Sequence, residues 1–190
     1  MSNFDGDFLR FVRSCNAVQY GEFTLKDGSQ SDIFFNSATF NTGHKIKCLA
    51  RFLAQKIFSV CPNCNLVYGS AYKGIPLATA VAMELGHISG ISVGYLFDRK
   101  EEKTHGDKGT FVGKTPSGND EVVFVDDVVT SGKTKVEGIQ LIKSTFGTDI
   151  NHIFVAVDRR NEISDINGCQ VHSLATLESL RSFLKTKAKT

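Results

Sequence analysis

Near the N-terminus, Phe4, Phe8, Leu9, Phe11, Val12 and Cys15 recur at helical spacing, predicting a helix from about Phe4 to Val18. Phe23-Thr-Leu-Lys26 and Ile33-Phe34-Phe35-Asn36 flank Asp27-Gly28, a hairpin signal. Ile46, Leu49, Ala50, Leu53 and Ile57 then share one face of a helix expected over Gly43–Val60. Beyond Pro62 the pattern turns to strand, loop and helix in repetition. Leu66-Val67-Tyr68 is a buried strand, Ile75 to Leu85 a helix, and Ile91 to Phe97 a strand. Val122-Val-Phe-Val125 is an apolar run of the fully buried, parallel type. A helix over Lys133–Phe146, a strand over Ile150–Val157 and a last helix from about Leu174 to Leu184 complete the order. Strands alternating with helices predict one α/β domain over residues 1–190, with a mainly parallel central sheet flanked by helices.

One stretch breaks this rhythm. From about 98 to 119 apolar periodicity fades, and Arg99, Lys100, Glu101, Glu102, Lys103, His105, Asp107 and Lys108 mix with glycines. So long a structureless segment is either a functional lid or a solvated insertion, and composition leaves both open.

Composition narrows the classes. The hydrophobic fraction of 41% suits one sizeable core. Net charge is +2, from 22 basic and 20 acidic residues, so no basic face for nucleic acid is implied. No apolar run approaches a membrane span, and the first residues lack the pattern of a signal peptide. A cytoplasmic protein without nucleic-acid or membrane partners is expected. Five cysteines, an odd number, argue against a fully paired disulfide framework. Cys61-Pro-Asn-Cys64 has metal-ligand spacing but no second ligand pair to match it, so a turn with reduced thiols is the expectation.

The most specific chemistry lies in Val122-Val-Phe-Val-Asp126-Asp127-Val-Val-Thr130-Ser131-Gly132-Lys133-Thr134. Ligands of open α/β sheets bind at the carboxyl ends of the strands, where this carboxylate pair falls. Backbone N–H groups and hydroxyls opening a helix make an anion cradle. The neighbouring carboxylates suit sugar hydroxyls, so the whole complements a ribose phosphate. A Walker A loop fails here: Gly109-Thr-Phe-Val-Gly113-Lys-Thr is one residue short, and Gly132-Lys133-Thr134 lacks the upstream glycine.

This segment resembles the phosphoribosyl pyrophosphate (PRPP) fingerprint of type I phosphoribosyltransferases. Three more segments resemble the orotate phosphoribosyltransferase family: Ala71-Tyr72-Lys73-Gly74-Ile75-Pro76, Asp98-Arg99-Lys100-Glu101-x-Lys103-x-His105-Gly106, and Leu25-Lys26-x-Gly28-x-x-Ser31-x-x-Phe34-Phe35-Asn36. Val157-Asp158-Arg159 fits the family's late strand end. The resemblance implies the type I fold, with a small N-terminal hood and a long flexible catalytic loop. It implies transfer of the phosphoribosyl group of PRPP to orotate with Mg²⁺, bound largely through PRPP. It also implies a homodimer with shared active sites.

By the same resemblance, Asp126 and Asp127 bind the ribose hydroxyls, and Val128, Val129, Thr130, Ser131, Gly132, Lys133 and Thr134 wrap the ribose phosphate, Thr130 also reaching orotate. Tyr72 and Lys73 lie by the pyrophosphate, and Lys26 sits between the substrates. Phe34 and Phe35 hold the pyrimidine by stacking and backbone contacts, and Arg159 pairs with its anionic edge. Arg160 stands beside Arg159, whose register with Asp158 favours it. Arg99, Lys100, Lys103 and His105 belong to the lid, with Arg99, Lys103 and His105 reaching a partner's site. The family's Lys-x-Gly-Arg-x-Ser-Pro reads Lys26-Asp-Gly-Ser29-Gln30-Ser31-Asp32 here. Rival readings are a phosphoribosyltransferase for another base and a non-catalytic PRPP-sensing regulator.

Overall fold

The computed structural model describes residues 4–24, 30–103, 109–160 and 164–187, with the side chains of 102, 103, 186 and 187 outside that description. Its helices are α1 (Phe4–Ser14), α2 (Gly43–Val60), α3 (Gly74–Ser89), α4 (Lys133–Phe146) and α5 (Leu177–Lys187). Its strands are β1 (Val18–Thr24), β2 (Gln30–Phe35), β3 (Leu66–Tyr68), β4 (Gly94–Lys103), β5 (Gly109–Gly113), β6 (Val122–Val129), β7 (His152–Asp158) and β8 (Gln170–Thr176).

Among the described residues, β1 and β2 form an antiparallel ribbon, and the rest form one sheet ordered β5-β4-β3-β6-β7-β8. All its neighbours run parallel except β5, which returns antiparallel to β4. Strand alternation explains why β6 is apolar throughout its first half. Val123 and Val125 join a core with Leu53, Ile57, Ala78 and Val81 of α2 and α3. Val122 and Phe124 point the other way, into a core with Ile139 and Ile142 of α4. Helices cover both faces, as a parallel sheet requires.

Local chemistry sets the helix limits. Thr42 caps α2, its side chain accepting from Lys45 N at 3.3 Å. Gly90 and Gly147 end α3 and α4 in left-handed conformation, with φ of 74° and 70°. The bounds of α2 and α4 match those expected from sequence. Helix α1 is shorter than expected, because Asn16 turns left-handed at φ 53° and Val18 enters β1.

Two expectations are corrected. The last helix begins at Leu177, not near Leu174, because residues 170–176 form strand β8. Thr176 and Ser179 exchange bonds, Ser179 N donating to Thr176 Oγ1 at 3.2 Å and Thr176 N to Ser179 Oγ at 2.9 Å. That reciprocal cap fixes the start of α5. The polar alternation of Gln170-Val-His-Ser suits a sheet edge and gave little helical or buried-strand signal.

The second correction concerns the stretch 98–119, which is not structureless. Strand β4 continues to Lys103 and pairs with β5, whose Phe111 ring packs 4.9 Å from Phe146 and 6.2 Å from Tyr68. Gly113 sits at φ 116°, where a Cβ would lie 2.1 Å from Tyr95 O, so the return strand needs glycine there. Residues 104–108, with His105, lie outside the described residues, as does the turn 25–29 with Lys26.

Candidate active site

The site gathers where parallel strands β3, β6 and β7 end together. Strand β6 runs longer than expected, so Asp126 and Asp127 are strand residues, Asp126 registering with Val155 of β7. Thr130 and Ser131 follow as an exposed turn, and Gly132 at φ 77° opens α4. A Cβ on Gly132 would approach Ile166 to 2.9 Å. Glycine therefore meets both the positive φ and the close packing, and brings no side chain to cap the helix. Ser131 Oγ accepts from Lys133 N at 3.4 Å at the mouth of this turn, whose N–H end is of the kind that suits an anion.

Each carboxylate has its own lysine. Asp126 is buried and pairs with Lys135 of α4, itself buried, whose Nζ also donates to Val128 O at 2.7 Å. Asp127 N donates to Asp126 Oδ1 at 2.8 Å. Burial pushes the Asp126 pKa up, with the neighbouring Asp127 charge, against the pull of Lys135. Asp127 pairs with Lys73 at 3.2 Å and accepts a hydrogen bond from Ser37 Oγ. Burial works to raise its pKa, but the Ser37 hydroxyl and the Lys73 ammonium prevail and hold it below the usual carboxylate range. Two adjacent carboxylates thus differ in setting, one locked to a buried cation and one facing an exposed, exchangeable one.

Lys73 stands at the start of α3, on a loop held from beneath. Asp98 Oδ1 accepts from Ala71 N at 3.1 Å and from Tyr68 Oη at 2.9 Å. Burial, then the Asp98 charge, pushes the Tyr68 phenol up, so it stays a donor. Gly69 and Gly74 nearly touch: a Cβ on Gly69 would lie 2.4 Å from Gly74 O. The Ala71–Tyr72 peptide is cis, and the Tyr72 side chain is exposed.

At the end of β7, Arg159 N donates to Val129 O at 3.0 Å. Arg160 turns back onto Asp158 and Ser164 O, whereas the buried Arg159 Nε has no acceptor among the described residues. In the ribbon, the Phe34 ring is half-buried and lies 5.4 Å from Phe23. The Phe35 ring lies in the core with Phe40, so its backbone alone is free to meet a ligand. Arg99 Nη1 donates to Gly109 O at 2.8 Å across the β4–β5 ribbon, and Lys100 is exposed beside it.

Hydrogen bonds therefore unite Lys73, Asp126 and Asp127, and strand register sets Arg159 next to Val129. Lys26 and His105 lie outside the described residues, as does the Lys103 side chain. Sequence reasoning passed over Ser37, Lys135 and Asp98. Ser37 directly follows Phe34-Phe35-Asn36, and Asp98 heads the motif that contains Arg99 and Lys100, so both stood within sight. Among the described residues, no three His, Cys, Asp or Glu side chains gather as a metal cage. The Asp126 and Asp127 carboxylates, the oxygen donors at this strand end, are of the hard type that a Mg²⁺ accepts.

Residues 37–176 match the family model described as "Phosphoribosyl transferase domain". The chain is 39% identical over 195 residues to an orotate phosphoribosyltransferase of Methylococcus capsulatus, covering 97% of this chain and 90% of that protein. It is 38% identical to the enzyme of that name from Klebsiella pneumoniae, covering 98% and 91%. The crystal structure of orotate phosphoribosyltransferase from Francisella tularensis superposes with a TM-score of 0.77 at 32% identity, covering 95% and 90%. With that likeness spanning nearly its whole length, the chain belongs to the orotate phosphoribosyltransferase family.

Proposed function

We propose that the protein transfers the phosphoribosyl group of PRPP to orotate, giving orotidine 5′-monophosphate and pyrophosphate in pyrimidine biosynthesis. The observation that carries this reading is the Asp126–Asp127 pair at the end of β6, facing the start of α4 on one side and Lys73 on the other. Asp126 and Asp127 accept hydrogen bonds from the ribose hydroxyls. The first turn of α4, with Thr130, Ser131 and Thr134, receives the 5′-phosphate through backbone donors and hydroxyls. The free edge of Arg159 pairs with the orotate carboxylate, a task suited to a planar fork. Phe34 covers the flat pyrimidine.

The orotate ring nitrogen replaces pyrophosphate at the anomeric carbon, and negative charge grows on the leaving group. Lys73 and the β4 cations Arg99 and Lys100 stabilise that charge without reorganising in the act. Losing one such donor typically costs about 3–4 kcal/mol of barrier. Mg²⁺, when bound through the pyrophosphate oxygens, supplies further charge neutralisation. Lys26, Lys103 and His105 take their roles from the family motif: Lys26 between the substrates, Lys103 and His105 on the arm that closes over the pyrophosphate.

The protein works as a homodimer in the cytoplasm. Met83, Ile91 and Tyr95, on or beside the mutually packed α3 and β4, expose 72%, 45% and 40% of their surface, an apolar stretch that suits a second copy. No helix among the described residues is long and apolar enough to cross a membrane. A base panel with PRPP and Mg²⁺ tests the reading. Pyrophosphate release with orotate, and not with adenine, hypoxanthine or uracil, is expected; release with another base in preference to orotate would overturn it.

A further inference from the structure

Ser37 has no part in the reaction just described, yet it stands between two groups that do. It opens a short 3-10 turn, Ser37–Thr39, directly after β2. Its Oγ accepts from Lys73 Nζ at 2.9 Å and donates to Asp127 Oδ2. A hydroxyl has one proton to give, and here it goes to the carboxylate while a lone pair meets the ammonium. The turn that carries it is anchored independently. Asn36 Oδ1 accepts from Ala38 N at 3.1 Å, Thr39 Oγ1 donates to Asn36 O at 2.9 Å, and Lys45 Nζ donates to Thr39 O at 3.2 Å. These bonds anchor the turn, and so the Ser37 Cβ, independently of the two charged partners, which select only the rotamer of its hydroxyl.

We propose that Ser37 is a positioning residue for PRPP, its hydroxyl holding the Asp127 carboxylate toward the ribose and the Lys73 ammonium toward the pyrophosphate. The inference rests on the function proposed above. The Lys73 side chain is 68% exposed, on a flexible stem whose ordering costs entropy. A direct contact between such an exposed ammonium and a carboxylate contributes little by itself. Ser37 adds a charge-assisted hydrogen bond to each partner from an anchored point. When PRPP enters, its anionic phosphates draw the Lys73 charge, and its ribose hydroxyls claim Asp127. A neutral hydroxyl keeps its bonds to both without competing for either charge. It also ties the end of β2 to the strand end that carries Asp127.

The test is a calorimetric PRPP titration with Mg²⁺, paired with steady-state kinetics. It compares wild type, Ser37→Ala, Ser37→Thr, Lys73→Met and the Ser37→Ala/Lys73→Met double variant. Ser37→Ala is expected to raise the PRPP Kd and KM about tenfold, the size of a lost hydrogen bond to a charged group. The orotate KM should stay within about twofold, and Ser37→Thr should restore PRPP binding to within about threefold. In the Lys73→Met background, Ser37→Ala should add less than it does in wild type, about threefold, because one of the two partners it positions is gone and only Asp127 remains. An unchanged PRPP Kd in Ser37→Ala, an equal rise in both substrates' KM, or full additivity in the double variant would overturn the proposal. Should Ser37→Ala fail to fold, Ser37→Cys takes its place, with the same expected rise from its weak donor. Wild type that binds no PRPP defeats the functional reading itself; wild type that binds while Ser37→Ala binds equally defeats only the role of Ser37.

Discussion

Arg160 closes a fork on Asp158, with Nε 3.0 Å from Oδ1 and Nη2 2.7 Å from Oδ2, whereas the Nε of its neighbour Arg159 has no acceptor among the described residues. Sequence alone could only favour Arg159 by register. The fork supports the proposed orotate contact of Arg159: Arg160 spends its donors on a buried carboxylate, and Arg159 keeps one unpartnered.

The two arginines should accordingly fail in different ways. Arg159→Ala should raise the orotate KM at least about tenfold while thermal stability barely changes. Arg160→Ala strips a buried Asp158 of its cation and should cost about 3 kcal/mol of stability. Steady-state kinetics beside thermal denaturation of both variants separates the two effects.

Lys135→Met should be harmful although Lys135 has no substrate contact in the proposed reaction. It leaves Asp126 buried without its cation, which pushes that carboxyl further toward the neutral form. A stability loss of about 3 kcal/mol is expected in chemical denaturation, together with weaker PRPP binding. Adding Asp126→Asn to Lys135→Met should recover part of the stability but none of the binding.

How much of this was legible beforehand follows from where the signals were local. Helices α2 and α4 were readable to the residue because apolar periodicity meets strong punctuation, Thr42 at one start and Gly147 at one end. The β4–β5 ribbon was not, because Asp98 to Lys103 is charged and partners a short strand rich in glycine. Its pairing is a tertiary fact with no period-two apolar signal. The site divides the same way. Asp126 and Asp127 stood out as a motif, whereas Ser37 and Lys135 matter only through contacts made across 90 and 9 residues of chain. The lone hydroxyl after Asn36 carries no chemistry until the fold sets it between an ammonium and a carboxylate.

Acid should weaken one surface feature in a defined window. The Lys114 ammonium, with the Ser117 hydroxyl and amide at 2.7 and 2.8 Å, holds the Asp120 carboxyl down from an ordinary 3.8 to about 2. A depressed folded pKa stabilises the fold above the unfolded value, and that stability is lost as pH falls toward 2. Asp120→Asn should thus cost about 1 kcal/mol at pH 7 and clearly less at pH 2, where the folded carboxyl is about half protonated, in denaturant titrations at the two pH values.

Thiol labelling should distinguish Cys48 from the rest. Cys15, Cys61, Cys64 and Cys169 are buried, and burial pushes Cys61 and Cys64 up to about 12, so neither offers thiolate near neutrality. Half-buried Cys48 lies on α2 near His44. A disulfide reagent at pH 8 should modify Cys48 rapidly in the native protein and all five cysteines only after denaturation. Rapid native labelling at Cys61 or Cys64, seen by mass spectrometry, would contradict the packing described.

The claim on which the rest turns is that the carboxylates ending β6 receive the ribose of PRPP. Calorimetric titration of PRPP with Mg²⁺ into wild type and Asp127→Ala tests it most directly. Saturable binding to wild type, weakened at least about tenfold in a variant that melts normally, is the predicted result. Equal PRPP affinity in the two proteins, or no binding to wild type, would contradict it.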